Sequence, residues 1–325
     1  MTILVTGGAG YIGSNVAAEL LHRGHQVVIL DSLEKGHFQA VPAGARFVEG
    51  DLASDDVIRR AFELGPFEAV MHFAAYIEAG ESMRFPARFL RNNCGNTFRL
   101  VEAATQQGVR KLIFSSTAAV YGDPQYTPID ELHPTIPTST YGQAKLFSDQ
   151  GLDWVANLHG MTCISLRYFN AAGAGQVFGE DHRPETHLIP LLLETVMGQR
   201  ETFSLYGTDY PTADGTCVRD YIHVLDLAQA HVLALETELP GHRHVFNLGN
   251  GRGFSNLEVI RAVEEVTGVN ISIVEAARRP GDPAILIASS DKIRTELGWE
   301  PRRPRLEQLI EDAWAWKKAH PKGYE

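Results

Sequence analysis

Thr2-Ile-Leu-Val-Thr-Gly-Gly-Ala-Gly-Tyr-Ile-Gly13 is the stretch of sequence that decides the fold. Its apolar start predicts a short strand over 2–5, and the pattern of the following residues predicts a helix over 11–22. Gly7, Gly10 and Gly13 allow a tight turn, the close approach of a pyrophosphate, and close packing of helix on strand. The free N–H groups at the start of the helix would face the phosphates. The stretch therefore predicts a dinucleotide site.

A carboxylate follows at the position that such a site requires. A second apolar run, 26–30, ends in Asp31, about 20 residues beyond the glycine turn, where an acid binds the ribose diol. Because a carboxylate there repels a 2′-phosphate, Asp31 favours NAD over NADP.

Further short apolar runs at 47–49, 69–73 and 111–116 alternate with helical patterns. This alternation predicts an α/β fold, a Rossmann-type doubly wound parallel sheet with helices on both faces. Asp51 and Leu52 follow the third strand, at the edge where we expect the adenine. Phe73 and Ala74 end the fourth strand, where small residues permit close approach of a cofactor, although core packing and a tight loop also explain these residues.

A second motif, Tyr141-Gly-Gln-Ala-Lys145, suits proton transfer beside the dinucleotide. On a helix, residues four apart lie on one face, so the ammonium of Lys145 would stabilise the phenolate of Tyr141 and lower its pKa from about 10. Alone, the motif also fits a solvated helix face. Ser115, Ser116 and Thr117 add hydroxyls at the carboxyl end of the strand over 111–116, where doubly wound sheets place active sites.

The composition is that of a globular enzyme. The 325 residues suffice for two domains or one large one, with 44% hydrophobic and 21% charged residues. A net charge of −11 argues against nucleic acid and anionic membranes as partners. Cys94, Cys163 and Cys217 lack C-x-x-C spacing, which indicates free thiols in a reducing compartment. Since no apolar run approaches the about 18 residues of a membrane span, we expect a cytoplasmic protein.

The 13 histidines indicate no metal site. The closely spaced pairs lack a third ligand at sensible spacing or a nearby carboxylate arrangement. These pairs are His22 with His25, His182 with His187, and His242 with His244.

The pattern changes after residue 170. The region 171–179 is small and glycine-rich, and Pro184 and Pro190 interrupt the pattern of the next residues. We expect a dinucleotide domain over 1–170 and a smaller C-terminal α/β substrate domain over 171–325. Part of 225–250, helical and then extended, is expected to return to the first domain.

Several motifs together resemble the extended short-chain dehydrogenase/reductases. They are Thr6–Gly13, Ser115–Thr117, Tyr141–Lys145 and Arg167–Asn170. The stretch Thr208–Val224 is similar, more specifically, to a segment of UDP-glucose 4-epimerases, and Asn247–Gly251, Arg278–Asp282 and Trp314–Tyr324 add to the likeness. The resemblance covers essentially the whole chain. It implies interconversion of UDP-glucose and UDP-galactose through a 4-keto sugar, with NAD as cofactor.

The resemblance also implies roles for individual residues. Those implied to bind NAD are Tyr11, Ile12, Asp31, Asp51, Leu52, Phe73, Ala74, Asn92, Lys145 and Phe169. Thr117 and Tyr141 would contact the reacting hydroxyl of the sugar. Those implied to hold the UDP moiety are Asn170, His187, Leu205, Tyr206, Arg219, Arg279 and Asp282. Arginine forks suit phosphate oxygens, although a surface charge also explains Arg219 and Arg279.

The family resemblance further suggests a homodimer in which helices over 81–107 and 141–158 pair across a two-fold axis. Phe85, Phe89 and Leu100 are candidate contacts, and packing on the chain's own sheet explains each equally well.

Three positions depart from the family pattern. Ile77 replaces a lysine that often follows the Phe-Ala-Ala stretch, and His187 stands where some members have asparagine. Ile285 or Leu286 stands where some members have a tyrosine that limits sugar size, so an epimerase for another UDP-sugar, N-acetylated or a pentose, is the alternative.

Two other functions fit the fold less well. A sugar-nucleotide dehydratase needs an acid and a base, typically Asp-Glu after the active-site threonine, and Ala118 and Ala119 stand there. A regulator that only binds the cofactor would have no need to combine Tyr141, Lys145 and Thr117.

Overall fold

We describe residues 1–279 and 282–325 of a computed structural model. The strands, in chain order, are β1 Thr2–Thr6, β2 Gln26–Asp31, β3 Arg46–Glu49, β4 Ala69–His72, β5 Lys111–Thr117, β6 Thr162–Tyr168, β7 Asn170–Ala172, β8 Phe203–Tyr206, β9 Val218–His223, β10 Arg243–Leu248, β11 Gly253–Ser255, β12 Ile273–Ala276 and β13 Ile285–Leu286.

The α-helices are α1 Tyr11–His22, α2 Asp55–Phe62, α3 Ala79–Arg84, α4 Pro86–Phe89, α5 Asn96–Gln106, α6 Thr140–His159, α7 Leu188–Val196, α8 Val224–Glu236, α9 Asn256–Thr267, α10 Asp291–Leu297 and α11 Leu306–Ala319. A π-helical turn, Leu90–Gly95, joins α4 to α5. Short 3₁₀ turns lie at Phe38–Ala40 and Ala118–Val120.

The central sheet has seven parallel strands in the order β10-β6-β5-β4-β1-β2-β3. The chain runs outward from β1 through β2 to β3 and then crosses back to β4 on the other side of β1. Ligands bind outside the carboxyl ends of the strands at such a reversal. The prediction of a Rossmann-type α/β fold is confirmed.

Alternation along the strands builds a core on each face of this sheet. In β1, Ile3 and Val5 pack in one cluster with residues of α1 and α8, while Leu4 packs in the other with residues of α2, α5 and α6. Successive side chains of a strand point to opposite faces, so apolar strands buried on both sides require helices on both sides.

Beyond residue 170 lie two smaller sheets. β9 pairs with β7, β11 and β13, and β12 pairs with β8. Helices α7, α9 and α11 form a third core cluster with residues of these strands. β10 pairs with β6, so it belongs to the large sheet. The division of the chain into domains at residue 170 stays a prediction.

The expectation of one helix over 81–107 is wrong. The backbone of Phe85 leaves the helical region (φ −129°, ψ 57°), separating α3 from α4. The next residue, Pro86, lacks an N–H and disfavours helical backbone in the residue before it. The second expected helix, over 141–158, is present as α6.

No helix in the described part of the chain is long and apolar enough to cross a membrane.

The burial of His231 leads to a prediction about acid stability. This side chain of α8 is fully buried, and burial lowers its pKa from 6.5 to about 4. Since the unfolded chain protonates first, the stabilisation is complete above about pH 6.5 and is lost as the pH falls toward 4. When the pH is lowered from 7 to 5.5, the unfolding free energy of the unmodified protein should fall by about 1 kcal/mol more than that of His231→Gln.

Urea unfolding at the two pH values measures this difference. Other buried groups also change the unfolding free energy with pH, but they do so equally in both proteins. One of them is Asp220, whose pKa is raised to about 7 by burial. Exposed His22 provides the matched control, and His22→Gln should keep the pH slope of the unmodified protein. An unchanged slope in His231→Gln would contradict the prediction.

Candidate active site

A cleft of about 370 Å³ lies at the carboxyl edge of the large sheet, between the ends of the strands and the segment that leads into α7. Sixteen of the residues predicted to bind the cofactor or the substrate line it: Gly7, Gly10, Tyr11, Ile12, Gly13, Asp31, Asp51, Leu52, Phe73, Ala74, Asn92, Thr117, Tyr141, Phe169, Asn170 and His187. The fold thus brings the glycine turn and the tyrosine motif to one cavity.

The glycine turn is packed too closely to accept side chains. A Cβ on Gly7, whose φ is +72°, would lie 2.5 Å from the backbone nitrogen of Ala74. A Cβ on Gly13 would lie 2.2 Å from the carbonyl oxygen of Gly7. Because α1 starts directly after this turn, its first N–H groups face the cleft without side chains in the way. This bare backbone edge fits a dinucleotide pyrophosphate.

Asp31 stands at the end of β2 on the lining of the same cleft. One carboxylate oxygen accepts a hydrogen bond from the N–H of Ala9 and the other from the N–H of Leu33, both at 2.9 Å. Burial raises the pKa of Asp31, and these backbone donors oppose the rise. The two N–H groups hold the carboxylate in one orientation, while its remaining lone pairs can accept a diol.

Tyr141 enters the cleft from the first turn of α6. Ser139 caps this helix by accepting from the N–H of Gly142 at 3.1 Å, and the N–H of Tyr141 itself donates to Ser82 at 3.0 Å. Burial raises the pKa of Tyr141 to about 12, and a hydrogen bond with Thr117 opposes the rise. The expectation of a lowered pKa is therefore wrong for the protein alone, because burial outweighs the hydrogen bond with Thr117 and the carboxylate of Glu78 adds to the rise.

Lys145 lies one turn along α6 from Tyr141 but is not part of the cleft lining. Its side chain is 2% exposed, and its ammonium donates to the carbonyl of Ser115 at 2.8 Å. Burial lowers its pKa to about 8, and Asp149 acts against this fall. Lys145 therefore ties α6 to the carboxyl end of β5, behind the cleft wall.

A buried network that the sequence analysis did not identify supports this region. The carboxylate of Asp149 accepts from the hydroxyl of Ser116 at 3.1 Å and from the guanidinium of Arg167 at 3.1 and 3.2 Å. Arg167 also donates to the phenol of Tyr121 at 3.0 Å. The position of Asp149, four residues after Lys145 on the same helix face, was the available signal.

Lys35 and Glu78 also line the cleft and were not predicted as a pair. Their side chains form a 2.8 Å ion pair, and although burial raises the pKa of Glu78, this ion pair makes the net shift a lowering. Glu78 follows Ile77, the residue that replaces a lysine found in related sequences. A lysine from the β2–β3 connection thus lies next to the position where the family lysine is missing.

Among the described residues, five of those expected to hold UDP lie outside the cleft lining: Leu205, Tyr206, Arg219, Arg279 and Asp282. The guanidinium of Arg219 pairs with Asp282, and that of Arg279 lies 4.1 Å from the ring centre of Tyr206. Arg219 and the cleft-lining Tyr221 are two residues apart on β9, which places them on one face of that strand. Pro280 and Gly281, inside the quoted motif Arg278–Asp282, lie outside the described residues.

The two candidates for limiting sugar size, Ile285 and Leu286, form β13 and pair with β9. Successive residues of a strand face opposite sides, so only one can face the cleft. Leu286 packs against a cluster that includes Phe169 and Ala118, which stand at the cleft wall and next to Thr117. Leu286 therefore packs beside the cleft wall next to Thr117.

A group of ionisable side chains lies at the end of the cleft before α7. It comprises Glu180, His182, Glu185 and His187, whose nitrogen and oxygen atoms lie within 4.8 Å of one another. Burial raises the pKa of Glu180, but His187 and His182 make the net shift a lowering. The premise that His182 and His187 lack nearby carboxylates is therefore wrong, because the chain folds back between residues 180 and 187.

Comparison with known proteins agrees with this geometry. The model of the NAD dependent epimerase/dehydratase family matches residues 3–249. A UDP-glucose 4-epimerase from Halalkalibacterium halodurans is 49% identical, with 100% of this chain and 98% of that protein covered. A crystal structure of a UDP-glucose 4-epimerase, 47% identical, superposes with a TM-score of 0.97 over 100% of both chains.

The UDP-glucose 4-epimerase of Bifidobacterium longum was crystallised in complex with NAD⁺ and UDP. Its structure has a TM-score of 0.95 and 36% identity, covering 99% of this chain and 100% of that one. These likenesses extend over both the glycine turn and the small sheets beyond residue 170. The chain belongs to the NAD dependent epimerase/dehydratase family, among the UDP-glucose 4-epimerases.

Proposed function

We infer that this protein interconverts UDP-glucose and UDP-galactose with NAD as its cofactor. The observation that carries this inference is one cleft lined by a bare glycine turn, the Asp31 carboxylate, and the paired hydroxyls of Thr117 and Tyr141. The relatives described above are UDP-glucose 4-epimerases, and the Bifidobacterium enzyme binds NAD⁺ and UDP.

Each part of the cleft has a role in binding. The glycine turn and the first N–H groups of α1 hold the pyrophosphate of NAD, and Asp31 accepts hydrogen bonds from the adenosine ribose. Asp51 and Leu52 border the adenine, while Phe73, Ala74, Asn92 and Phe169 line the remaining cofactor wall. When bound, NAD accepts and returns the hydride at C4 of the sugar and brings a cationic ring into the site.

Tyr141 moves the proton. Its phenolate takes the proton of the 4-hydroxyl, and its phenol gives that proton back after the 4-keto sugar has turned its other face. Thr117, hydrogen-bonded to Tyr141, orients the sugar hydroxyl and favours the phenolate. Because burial raises the pKa of Tyr141 to about 12, forming the phenolate at neutral pH has a free-energy cost in the protein alone.

That cost explains why the reaction needs added positive charge beside Tyr141. The ammonium of Lys145 is buried one helical turn away and ties down the end of β5. A bound NAD would supply a second positive charge that favours the phenolate. Lys145 thus has two roles in our proposal. Its hydrogen bond holds the end of β5 against α6, and its positive charge favours the phenolate of Tyr141.

The sugar nucleotide occupies the part of the cleft nearer α7. Asn170 and His187 line this part, and Tyr221 also lines the cleft. Arg219 lies two residues before Tyr221, on the same face of β9. We assign the diphosphate to Arg219 and Arg279, because arginine forks match phosphate oxygens. In the protein alone Arg219 pairs with Asp282, so the diphosphate competes with a carboxylate for the guanidinium.

Replacing the phenol tests the assignment. Tyr141→Phe removes the proton acceptor and keeps the ring, so the rate of conversion of UDP-galactose to UDP-glucose should fall at least about 100-fold, the loss typical of a missing general base. Turnover is measured by coupling product UDP-glucose to a dehydrogenase.

The matched control is Tyr126→Phe, since Tyr126 is exposed and hydrogen-bonds Asp130 away from the cleft. It should turn over at the unmodified rate. Near-normal turnover in Tyr141→Phe would remove Tyr141 from the proposed role.

Cofactor choice depends on Asp31. Asp31→Asn weakens the acceptor for the ribose diol, and loss of a hydrogen bond to a charged group should weaken NAD binding about 10- to 100-fold. It should also narrow the preference for NAD over NADP, because the repulsion of a 2′-phosphate is removed. Equilibrium binding of both dinucleotides to protein stripped of cofactor measures the two effects.

The exposed Asp123 serves as the control, with Asp123→Asn expected to bind both dinucleotides as before. An Asp31→Asn protein with unchanged preference would show that the ribose lies elsewhere.

We also propose that two copies of the chain associate through α6. Phe147, Trp154 and Leu158 are 45%, 70% and 72% exposed, and their spacing places them on one face of this helix. Met83 and Phe85, also exposed, extend the apolar surface onto α3 and its end. Phe89 and Leu100, predicted as possible contacts, are buried within the chain and take no part.

Trp154→Glu should therefore shift the sedimentation mass at micromolar concentration from two chains to one. Leu132 is 89% exposed outside α6. Leu132→Glu should leave the mass at two chains. A single-chain mass for the unmodified protein would exclude the dimer.

A cytoplasmic location is part of the proposal. Cys94, Cys163 and Cys217 are all unpaired in the described structure, as expected for a reducing compartment. Cell fractionation with an antibody to the protein would test this.

A further inference from the structure

The segment between β7 and α7 carries two histidines and two glutamates in the pattern Glu180-x-His-x-x-Glu-x-His187. Their side chains converge, while Asp181 and Arg183, between them, pair with each other. Glu185 and Glu180 are 4% and 10% exposed at their side chains, and His182 is 19% exposed. The cluster is thus a built feature of the cleft end.

The atoms that converge are those of a ligand set. The Nδ1 of His187 lies 2.9 Å from a carboxylate oxygen of Glu180 and 2.9 Å from one of Glu185. The Nδ1 of His182 lies 3.1 Å from the same oxygen of Glu180. The two rings are 5.4 Å apart and inclined by 53°, so both nitrogens approach one point from different directions.

We propose that Glu180, His182, Glu185 and His187 bind a divalent zinc ion in tetrahedral coordination. Zinc takes imidazole nitrogen and carboxylate oxygen in four-coordinate sites, whereas magnesium and calcium prefer oxygen ligands alone. Two carboxylates also balance the charge of a divalent ion, so the site is neutral with both rings unprotonated. No residue of this set belongs to the proton-transfer pair Thr117 and Tyr141.

The ion fits with small movements of the ligands, whose atoms all lie within 4.8 Å of one another. Bonds of about 2.1 Å in a tetrahedron separate neighbouring ligand atoms by about 3.4 Å. The closest pairs are at 2.9 to 3.1 Å, so they must part by a few tenths of an ångström. Without the ion, hydrogen bonds between the ring nitrogens and the carboxylates hold the same groups at the shorter distances.

The location indicates a structural role. On one side the phenol of Tyr11 in α1 donates to the carbonyl of Gly173 at 2.6 Å, and on the other His187 is the residue before α7. A zinc ion would therefore fasten the wall of the cleft between the helix at the glycine turn and α7. His187 also lines the cleft, so its second nitrogen stays available to the sugar nucleotide.

Metal content and affinity test the proposal on the protein with its cofactor bound. After chelation and dialysis, the protein is titrated with zinc chloride by calorimetry, and the retained metal is measured by mass spectrometry. We expect one zinc per chain. His182→Gln should bind zinc at least about 100-fold more weakly, since even partners outside the ligand shell cost 10- to 100-fold.

The exposed His22 again provides the control, and His22→Gln should bind zinc as the unmodified protein does. Cobalt(II) in place of zinc should give the intense visible bands of tetrahedral coordination, and His182→Gln should lose them. Zinc, but not magnesium, should raise the melting temperature of the unmodified protein.

Two results would overturn the proposal: no zinc retained by the unmodified protein, or equal affinity in His182→Gln. A weak octahedral cobalt spectrum would do the same, because it indicates adventitious binding. If His182→Gln fails to fold, Glu180→Gln replaces it, with retained circular dichroism as the criterion of folding. Since none of these measurements uses epimerase turnover, the proposal stands or falls separately from the proposed function.

Discussion

Backbone contact at the glycine turn is the constraint on which the remaining structure depends. The turn between β1 and α1 lies against the end of β4, and a single Cβ at Gly7 would enter the backbone of Ala74. The reversal of strand order between β1 and β4 opens the crevice at this same place. Close packing of two backbones therefore sets where the crevice is and leaves its floor free of side chains.

Desolvation is the second constraint, and it acts on the groups at the ends of β5 and β6. Tyr141 is held neutral by burial, and Lys145, also buried, is held near the point where it loses its proton. Asp149 opposes the shift of Lys145 and is itself neutralised by Arg167. Asp149 thus lies between two cations, Lys145 and Arg167, and a bound cation would favour the phenolate of Tyr141 further.

Local signals in the sequence predicted the large sheet and the cofactor half of the cleft. Strands such as β2 are continuous apolar runs, and most residues predicted to bind NAD follow a strand or lie at the glycine turn, whereas Asn92 lies in the π-helical turn and Lys145 in α6. The bounds of α1 were predicted to the residue, since glycine precedes it and the apolar pattern ends at His22. In these parts the neighbours along the chain are also the neighbours in space.

The predictions from sequence failed where a contact or a pKa depends on residues that are far apart in the chain. The ion pair of Lys35 with Glu78 joins residues 43 positions apart in the chain. The pattern over 81–107 predicted one helix, but the backbone of Phe85 interrupts it. The direction of the Tyr141 pKa shift depends on solvent exclusion, which a helix-face argument does not contain. The UDP residues on β8 and β9 were implied by family resemblance alone, and their distance from the cleft lining follows from the pairing of the small sheets.

The segment 173–187 shows how the two halves of the cleft depend on each other. Tyr11, in the first turn of α1, holds Gly173, and a Cβ on Gly175 would lie 2.5 Å from the side-chain oxygen of Asn15. The helix that presents its N–H groups to a dinucleotide therefore also supports the chain that carries Glu180 and His187. Packing contacts of one helix therefore join the glycine turn to the opposite wall of the cleft.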